Sequence, residues 1–307
     1  QYNPLVYFFE PSWGDCRWVE VMLKFKQNFG KVVLALYDVM NDGYTGKAEE
    51  ELATEKYALE HADGIVWRWF SKEYLEEKGF RYQGKSIQFL DYCNHESICD
   101  DFEAPIGAKI KICLVSGYGD EYVEDRTYVT RYTDWAKIGE ILERIGNRTD
   151  CEFHFYAGAL QNYENIERCE RYEKEYFNFK YFLGTRHDEL IRRLHEYDYG
   201  CELWISGEEP PNDMPMGDYY GSIYNNSVRN AYFDFLSAGL PVITTQASRM
   251  REFLGADNVM IQMTLSDLDV DYLIKHKQYY KEEVASKRKE WDIDNQIPGL
   301  IQFFEEM

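Results

Sequence analysis

The polar side chains between Tyr224 and Asn230 have the clearest potential for chemistry in this sequence. Asn226 or Ser227 can cap a helix, because its side-chain oxygen accepts a hydrogen bond from a free backbone N–H of the first turn. The start of a helix presents unpaired N–H groups and partial positive charge, and it therefore favours a phosphate. Arg229 adds a charge-assisted donor. These residue types and their spacing predict an anion-binding site at the start of a helix.

The residues that follow predict the helix and the strand that position this stretch. Apolar side chains at helical spacing form one buried face, which comprises Val228, Ala231, Tyr232, Phe235 and Leu236. Gly239 ends the helix as a left-handed residue, and Pro241 prevents its continuation. The β-branched run at residues 241–245 predicts a buried strand. Taken alone, this segment also fits an ordinary helix–strand unit of a doubly wound sheet.

The same segment resembles the donor-binding segment of the retaining GT-B glycosyltransferases of the group 1, or GT4, family. In that family an acidic residue, seven other residues and a second acidic residue precede a small-residue turn, Gly-x-Pro and a β-branched strand. Residues 234–243 match the second half, with Asp234 as the second acidic residue. Asn226 stands at the first acidic position, which is a departure that some members of the wider family share. The resemblance implies that residue 226 hydrogen bonds to the transferred sugar and that Asp234 belongs to the same catalytic group.

Composition and charge narrow the classes of protein that fit. The length of 307 residues predicts one large or two medium domains, and the hydrophobic residues, 45% of the chain, suffice to form a core. The formal charge of −21 argues against nonspecific binding to nucleic acid or to an anionic membrane surface. We therefore expect neither nucleic acid nor a membrane among the partners, although a local basic pocket for a nucleotide is compatible with this charge.

Three features predict a cytoplasmic protein. The seven cysteines are scattered, odd in number and without a CxxC pair, which is typical of reduced thiols. No apolar run approaches the ~18 residues of a transmembrane helix. No signal peptide is visible. Because the chain starts at Gln1 rather than Met, in what reads as the middle of a fold, a trimmed fragment is one interpretation.

The first third of the chain alternates strands and helices. Strands are predicted at residues 5–9, 31–36, 64–67 and 86–90, and helices at 15–29, 47–62 and 71–78. The alternation predicts a mostly parallel sheet, in which ligands bind beyond the carboxyl ends of the strands. Glu10 and Asp38 follow two such ends and are the candidates here, with plain solvated carboxylates as the alternative. The irregular, acidic residues 91–108 predict an inter-domain linker.

A second alternating series begins at Ala108. Strands are predicted at residues 110–115, 152–156, 181–184 and 201–205, and helices at 133–146, 163–177, 188–197, 250–254, 266–290 and 297–307. Ser116 and Gly117 open a glycine-rich turn that can approach a ligand, although a plain turn fits as well. Glu208 lies in the loop after the strand at 201–205 and can reach sugar hydroxyls or simply face solvent.

This second series is similar throughout to the C-terminal domain of GT-B enzymes. Their Phe-Leu-Gly-x-x-x-x-Asp/Glu-Leu segment corresponds to residues 182–190, which implies that Gly184 and Arg186 contact the nucleotide base and ribose. The family's paired Arg and Lys clamp is not evident, and Arg126 and Arg186 are its nearest substitutes. The donor-binding residues so implied are Ser116, Gly117, Gly184, Arg186, Glu208, Tyr224, Asn226, Ser227, Arg229 and Asn230.

The first series resembles only the later part of a GT-B N-terminal domain, and it implies acceptor-side roles for Glu10 and Asp38. The resemblance thus implies a GT-B-like α/β fold of two Rossmann-like domains whose parallel sheets face a cleft. We predict an acceptor-side domain at residues 1–107 and a nucleotide-sugar-binding domain at 108–290. The final segment, 291–307, is predicted to be a helix that packs back on the first domain.

No metal-binding pattern is present. None of the six histidines is paired at ligand spacing, and Asp267, Asp269 and Asp271 lie at a helix start, where they act as caps. The sequence and the resemblance together predict a retaining, metal-independent glycosyltransferase of carbohydrate biosynthesis, with no cofactor. Its donor is a nucleotide sugar such as a UDP- or GDP-sugar, and its acceptor a glycan, lipid or protein. A catalytically silent binding or assembly partner is the alternative, and a sugar-nucleotide epimerase a third.

Overall fold

The computed structural model of the chain describes residues 6–9, 17–36, 49–67, 76, 79–90, 92–93, 109–118, 135–159, 163–202, 230–244, 260–262 and 268–307. The chain divides into two compact units. The first comprises Gln1–Asp91, Glu209–Val228 and Asp294–Met307, and the second comprises Tyr92–Glu208 and Arg229–Ile293. The predicted linker lies almost wholly outside the described residues, and the domain limits of 1–107, 108–290 and 291–307 remain predictions.

The first unit is built on a four-stranded parallel sheet. Its elements are β1 (Val6–Phe9), α1 (Arg17–Phe29), β2 (Lys31–Leu36), α2 (Glu49–His61), β3 (Gly64–Trp67) and β4 (Lys85–Gln88), and the strands lie in sequence order. Residues 32–36 are all buried and apolar, as expected of a parallel strand covered on both faces. The helix α1 ends where Gly30 adopts a φ of 133°, a conformation that residues with side chains rarely reach.

The second unit is built on a six-stranded parallel sheet. Its strands are β5 (Ile110–Tyr118), β6 (Cys151–Ala159), β7 (Phe179–Leu183), β8 (Tyr199–Glu202), β9 (Val242–Thr244) and β10 (Met260–Gln262). Its helices are α3 (Trp135–Ile145), α4 (Tyr163–Glu175), α5 (His187–Leu194), α6 (Asn230–Ser237) and α7 (Val270–Arg288). Buried aromatic residues such as Phe153, Phe155 and Tyr199 fill the core on this sheet. The predicted mixed α/β fold with parallel sheets is therefore confirmed.

The strand order of this sheet is β10-β9-β8-β5-β6-β7. From β5 the chain moves outward through β6 to β7, and it then returns to build β8, β9 and β10 on the other side of β5. The order therefore reverses between β5 and β8. Ligands of doubly wound sheets bind at such a reversal, in the crevice beyond the carboxyl ends of the strands.

The opposite, amino-terminal edge of β8 is fixed by a buried ionic cluster. The Oδ1 atom of Asp198 lies 3.1 Å from Nζ of Lys281 and 3.4 Å from Nζ of Lys277. The backbone N–H of Lys111 donates to Oδ2 of Asp198 at 2.8 Å. Buried charges are tolerated when they are paired in this way. The cluster joins β5, β8 and α7 at the end of the sheet remote from the carboxyl edge.

The last helix, α8 (Ile293–Glu305), starts before the predicted Ile297 and carries Pro298 within it. In the first unit the buried ring of Phe303 packs with Val33 and Val66, and Leu300 and Phe304 pack around this group. The Nζ atom of Lys85 lies 3.0 Å from Glu306 at the same end.

The structure corrects the prediction of a turn at Ser116 and Gly117. Both residues belong to β5, which continues to Tyr118 because the backbone pairing with β6 extends beyond the apolar run. Ser116 lies opposite Ala157 and Tyr118 opposite Ala159. Ser116 and Gly117 are thus strand residues that lead to the carboxyl edge of the second sheet.

Candidate functional site

The candidate site lies at the carboxyl edge of the second sheet, where β5, β6 and β7 end and where α5 and α6 begin. The helix α5 follows β7, so its first residue, His187, lies at this edge. The helix α6 precedes β9 and must run antiparallel to it, so Asn230, its first residue, lies at the same edge. Two helix N-termini, each with unpaired N–H groups, therefore approach the ends of the strands.

A tight turn at Gly184 joins β7 to α5. The backbone N–H of Gly184 donates to the carbonyl of Ala157 at 3.0 Å, which ties the turn to the end of β6. Gly184 has a φ of 61°, and a Cβ built there would meet no atom within 4 Å. Glycine is therefore required here by the backbone conformation rather than by lack of space. The turn is open on this side, as a ligand contact at Gly184 requires.

Arg186 lies at the exposed end of the same turn. Its Nε donates to Oδ1 of Asp188 at 3.1 Å, so the guanidinium is already paired with a carboxylate of its own helix. A surface pair of this kind contributes little stability, about 0–1 kcal/mol, and a phosphate can compete for the guanidinium.

Asp234 is the acidic side chain that α6 brings to this edge. Its side chain is 29% exposed, and its Oδ1 lies 3.4 Å from Nε2 of His187. Burial raises the pKa of Asp234, and His187 opposes this rise. The two residues connect α6 with the start of α5, so the structure brings together Asp234 and the turn that contains Gly184 and Arg186.

A cluster of aromatic side chains packs next to the Gly184 turn and includes Phe182, two residues before this glycine. The rings of Tyr156 and Phe182 stack at 4.7 Å, and the Tyr156 and Tyr197 hydroxyls share a hydrogen bond of 2.8 Å. The Tyr197 hydroxyl is also 2.7 Å from Nδ1 of His154. Burial lowers the pKa of His154 to about 4, so this ring is neutral near pH 7. Arg193 lies over Phe182, 5.4 Å from the ring centroid.

Sequence reasoning missed these aromatic contacts and the contact of His187 with Asp234. The alternation of His154 and Tyr156 along β6 was the only local sign that they share one face of the sheet. Nothing local indicates that Tyr197 or His187 meets a partner from another element.

Several predicted site residues lie outside the described part of the chain: Glu10, Asp38, Glu208, Tyr224, Asn226, Ser227 and Arg229. Arg126, Asp267 and the helix predicted at residues 250–254 are likewise outside it. Of the helix predicted at residues 71–78, only residue 76 is described. Asn230 is described as the first residue of α6.

The described residues contain no group of three or more His, Cys, Asp or Glu side chains that could hold a metal ion. No helix within the described ranges has the length and apolar character needed to cross a bilayer. Five cysteines of these ranges, Cys93, Cys113, Cys151, Cys169 and Cys201, are buried free thiols.

Comparison with solved structures identifies the fold. No family model and no curated protein matches the sequence. Sucrose-phosphate synthase from Thermosynechococcus elongatus aligns with 100% of this chain and 74% of its own, with a TM-score of 0.62 and 13% identity. The chain has the GT-B fold.

Two further solved structures extend the comparison. The Anabaena protein HepE, solved in complex with UDP-glucose, aligns with 99% of this chain and 79% of its own, with a TM-score of 0.64 and 8% identity. A structure of accessory secretory proteins 1, 2 and 3 in Streptococcus pneumoniae matches 98% of this chain and 53% of its own, with a TM-score of 0.51 and 13% identity. At such identities the likeness establishes the fold alone, and it confirms the predicted GT-B fold.

Proposed function

We propose that this GT-B chain is a glycosyltransferase that takes a sugar from a nucleotide-sugar donor. The observation that carries the proposal is the meeting of the Gly184 turn and Asp234 at the carboxyl edge of a doubly wound sheet. That edge is where folds of this kind bind nucleotides. The HepE structure, which shares the fold, was solved with UDP-glucose.

The chemistry of the donor suits the residues at this edge. The vicinal hydroxyls of a ribose are hydrogen-bond donors, and the ionised carboxylate of Asp234 can accept from both. The open turn at Gly184 leaves room for the base beside it. The diphosphate would lie at the start of α6, where the partial positive charge of the helix favours an anion. Asn226, Ser227 and Arg229, just upstream of α6, are proposed to contact the sugar and the diphosphate.

The reaction requires that negative charge on the leaving diphosphate be stabilised. We propose that the helix terminus, Arg229 and Arg186 supply this stabilisation, so that transfer is metal-independent. We further propose retention of configuration, cytoplasmic localisation, and an acceptor, namely a glycan, lipid or protein, that meets Glu10 and Asp38.

A donor screen tests this proposal. Purified protein is titrated calorimetrically with UDP-, GDP-, ADP- and dTDP-sugars, and release of the nucleoside diphosphate is followed with and without EDTA. We expect one donor to bind and to be hydrolysed slowly, at a rate that EDTA leaves unchanged. The Arg229→Ala variant should bind that donor about 1.5–3 kcal/mol more weakly, the magnitude of a hydrogen bond to a charged group. Loss of activity in EDTA with recovery in Mg²⁺ or Mn²⁺ would contradict the metal-independent mechanism.

A catalytically silent binding or assembly partner is the second candidate. Two observations favour it: Asn226 replaces the family's acidic residue, and the described Arg186 is paired with Asp188. The fold is also shared with a chain in the structure of the accessory secretory proteins. Donor binding without hydrolysis or transfer to any acceptor would support this candidate. Interconversion of the nucleotide sugar in the absence of an acceptor would instead indicate an epimerase.

A further inference from the structure

A histidine joins the two helices that meet at the candidate site. His187 is the first residue of α5, and its Nε2 lies 3.4 Å from Oδ1 of Asp234 on α6. The His187 side chain is 73% exposed, whereas that of Asp234 is 29% exposed. The imidazole therefore lies on the solvent side of a partly buried carboxylate, at the edge where the ligand is proposed to bind.

We propose that His187 is a positioning residue for the nucleotide donor. Its imidazole holds one oxygen of Asp234, leaves the other oxygen free for the ribose hydroxyls, and when protonated adds a positive charge beside the diphosphate. This inference rests on the proposed function, because it requires a nucleotide at this edge of the sheet.

The contact has two physical consequences. A carboxylate has about four lone-pair sites on its two oxygens, so one imidazole leaves capacity for a diol. The contact with His187 also opposes the burial that raises the pKa of Asp234, and so it favours the ionised carboxylate. Imidazole is the side chain whose charge normally changes between about pH 5 and 8. We therefore expect a charged side chain at position 187 to strengthen donor binding and a neutral one to weaken it.

Other charged or titratable groups lie near this pair. In its own turn Arg186 is paired with Asp188. The Cys93 thiol interacts electrostatically with Asp292, with Arg288 on α7 and with Asp234. Burial raises the pKa of Cys93 to about 12, so this thiol is neutral at pH 6–8.5. A guanidinium does not lose its proton in proteins.

The experiment measures the dissociation constants of UDP, GDP, ADP and dTDP by calorimetry at pH 6, 7 and 8.5, at constant ionic strength and without metal. The full chain is compared with His187→Gln, which retains a donor without titrating, and with His187→Lys, which keeps its charge throughout. The matched control is His276→Gln, because His276 is a half-buried histidine on α7 whose Nδ1 lies 3.0 Å from the backbone carbonyl of Tyr272 in its own helix. The phosphate's own titration is common to all four proteins, so the comparison between them isolates the side chain.

We expect the affinity of the natural chain and of His276→Gln to fall between pH 6 and 8.5 by roughly two- to fivefold more than that of His187→Gln, as expected for one partly exposed charge pair. The affinity of His187→Lys should depend on pH no more than that of His187→Gln and should exceed it at pH 8.5. Nucleotide binding with equal pH dependence in the natural chain and His187→Gln would overturn this inference alone. Failure of the natural chain to bind any of the four nucleotides at any pH would overturn both it and the proposed function.

Discussion

Replacing Asp198 with Asn tests how far the ionic cluster at the amino-terminal edge of β8 supports the second unit. The Asp198 side chain is 4% exposed and that of Lys281 is 1% exposed, so their charges are almost fully removed from water. Asn keeps a side-chain oxygen that can accept from the N–H of Lys111. The substitution therefore removes the negative charge while retaining that hydrogen bond.

The expected loss follows from the two lysines left behind. Without the carboxylate, Lys277 and Lys281 remain as buried cations, although each still donates to a carbonyl, of Lys109 and Tyr197 respectively. Breaking a buried pair from one side costs about 3–5 kcal/mol. Because the two carbonyls retain part of the compensation, we expect a loss of unfolding free energy near 3 kcal/mol.

The loss should depend on pH. Burial lowers the pKa of Lys281 in the folded chain, and Asp198 opposes this effect. Removing the carboxylate therefore lowers this pKa further. Between that lowered value and 10.5, the ordinary lysine value, the unfolded chain binds more protons than the folded chain, so stability rises with pH in this window. The deficit of Asp198→Asn should accordingly shrink as the pH is raised from 7 towards 9.5.

Hydrogen exchange of the β5 and β8 amides, combined with urea unfolding, measures the effect within the second unit. This combination is needed because unfolding of a two-unit chain need not be two-state. The matched control is Asp271→Asn, which removes a carboxylate that is 76% exposed and paired with Arg148 at 2.6 Å. An exposed pair contributes about 0–1 kcal/mol. If Asp198→Asn and Asp271→Asn proved equally mild at pH 7, the reasoning about buried charge would be refuted.

Three further predictions concern the turn, the network behind it and the last helix. Gly184→Ala should lower the free energy of unfolding by about 1–2 kcal/mol, because residue 184 has a positive φ. The control Gly299→Ala, inside α8 and without steric obstruction, should raise it by up to about 1 kcal/mol. Thermal unfolding measures both. The pKa of His154 is about 4 in the folded chain, against 6.5 for an ordinary histidine. Because the unfolded chain binds more protons between these values, the free energy of unfolding should fall by roughly 2–3 kcal/mol as the pH drops from 6.5 to 4. Unfolding titrations of His154→Gln should lack this fall, and an equal fall in the variant would contradict the prediction. Phe303→Ala should lower the free energy of unfolding by about 3–5 kcal/mol, because Phe303 is buried. The control Ile301→Ala removes an exposed side chain and should lower it by about 0.5 kcal/mol or less. Similar melting temperatures for the two variants would count against the packing of α8.

The regular elements could be predicted from the sequence because their signals are local. The apolar run at residues 31–36 and the strand–helix alternation from Ala108 onward correspond to a parallel α/β structure. The glycine at position 184 and the residues around Asp234 carried the GT-B resemblance, which the solved structures confirm at the level of the fold. Side-chain periodicity and glycine positions depend on neighbours along the chain, so no tertiary information was required.

The residue at which a strand ends could not be predicted from the sequence where pairing with a neighbouring strand sets it. The apolar run of β5 ends at Val115, yet the strand continues to Tyr118 because β6 supplies backbone partners to that point. The sequence pattern records burial of side chains, whereas a strand ends where its hydrogen-bonding partner ends.

The contacts that define the candidate site required the tertiary structure. His187 and Asp234 belong to different helices and meet only because α5 leaves β7, and α6 approaches β9, at one edge of the sheet. The cluster of Asp198 with Lys277 and Lys281 arises in the same way at the other edge. The sequence around these residues predicts neither the contact nor the cluster, because an ion pair between two elements depends on the order of the strands. That order is set by crossover connections and by burial summed over the whole sheet rather than by any single segment.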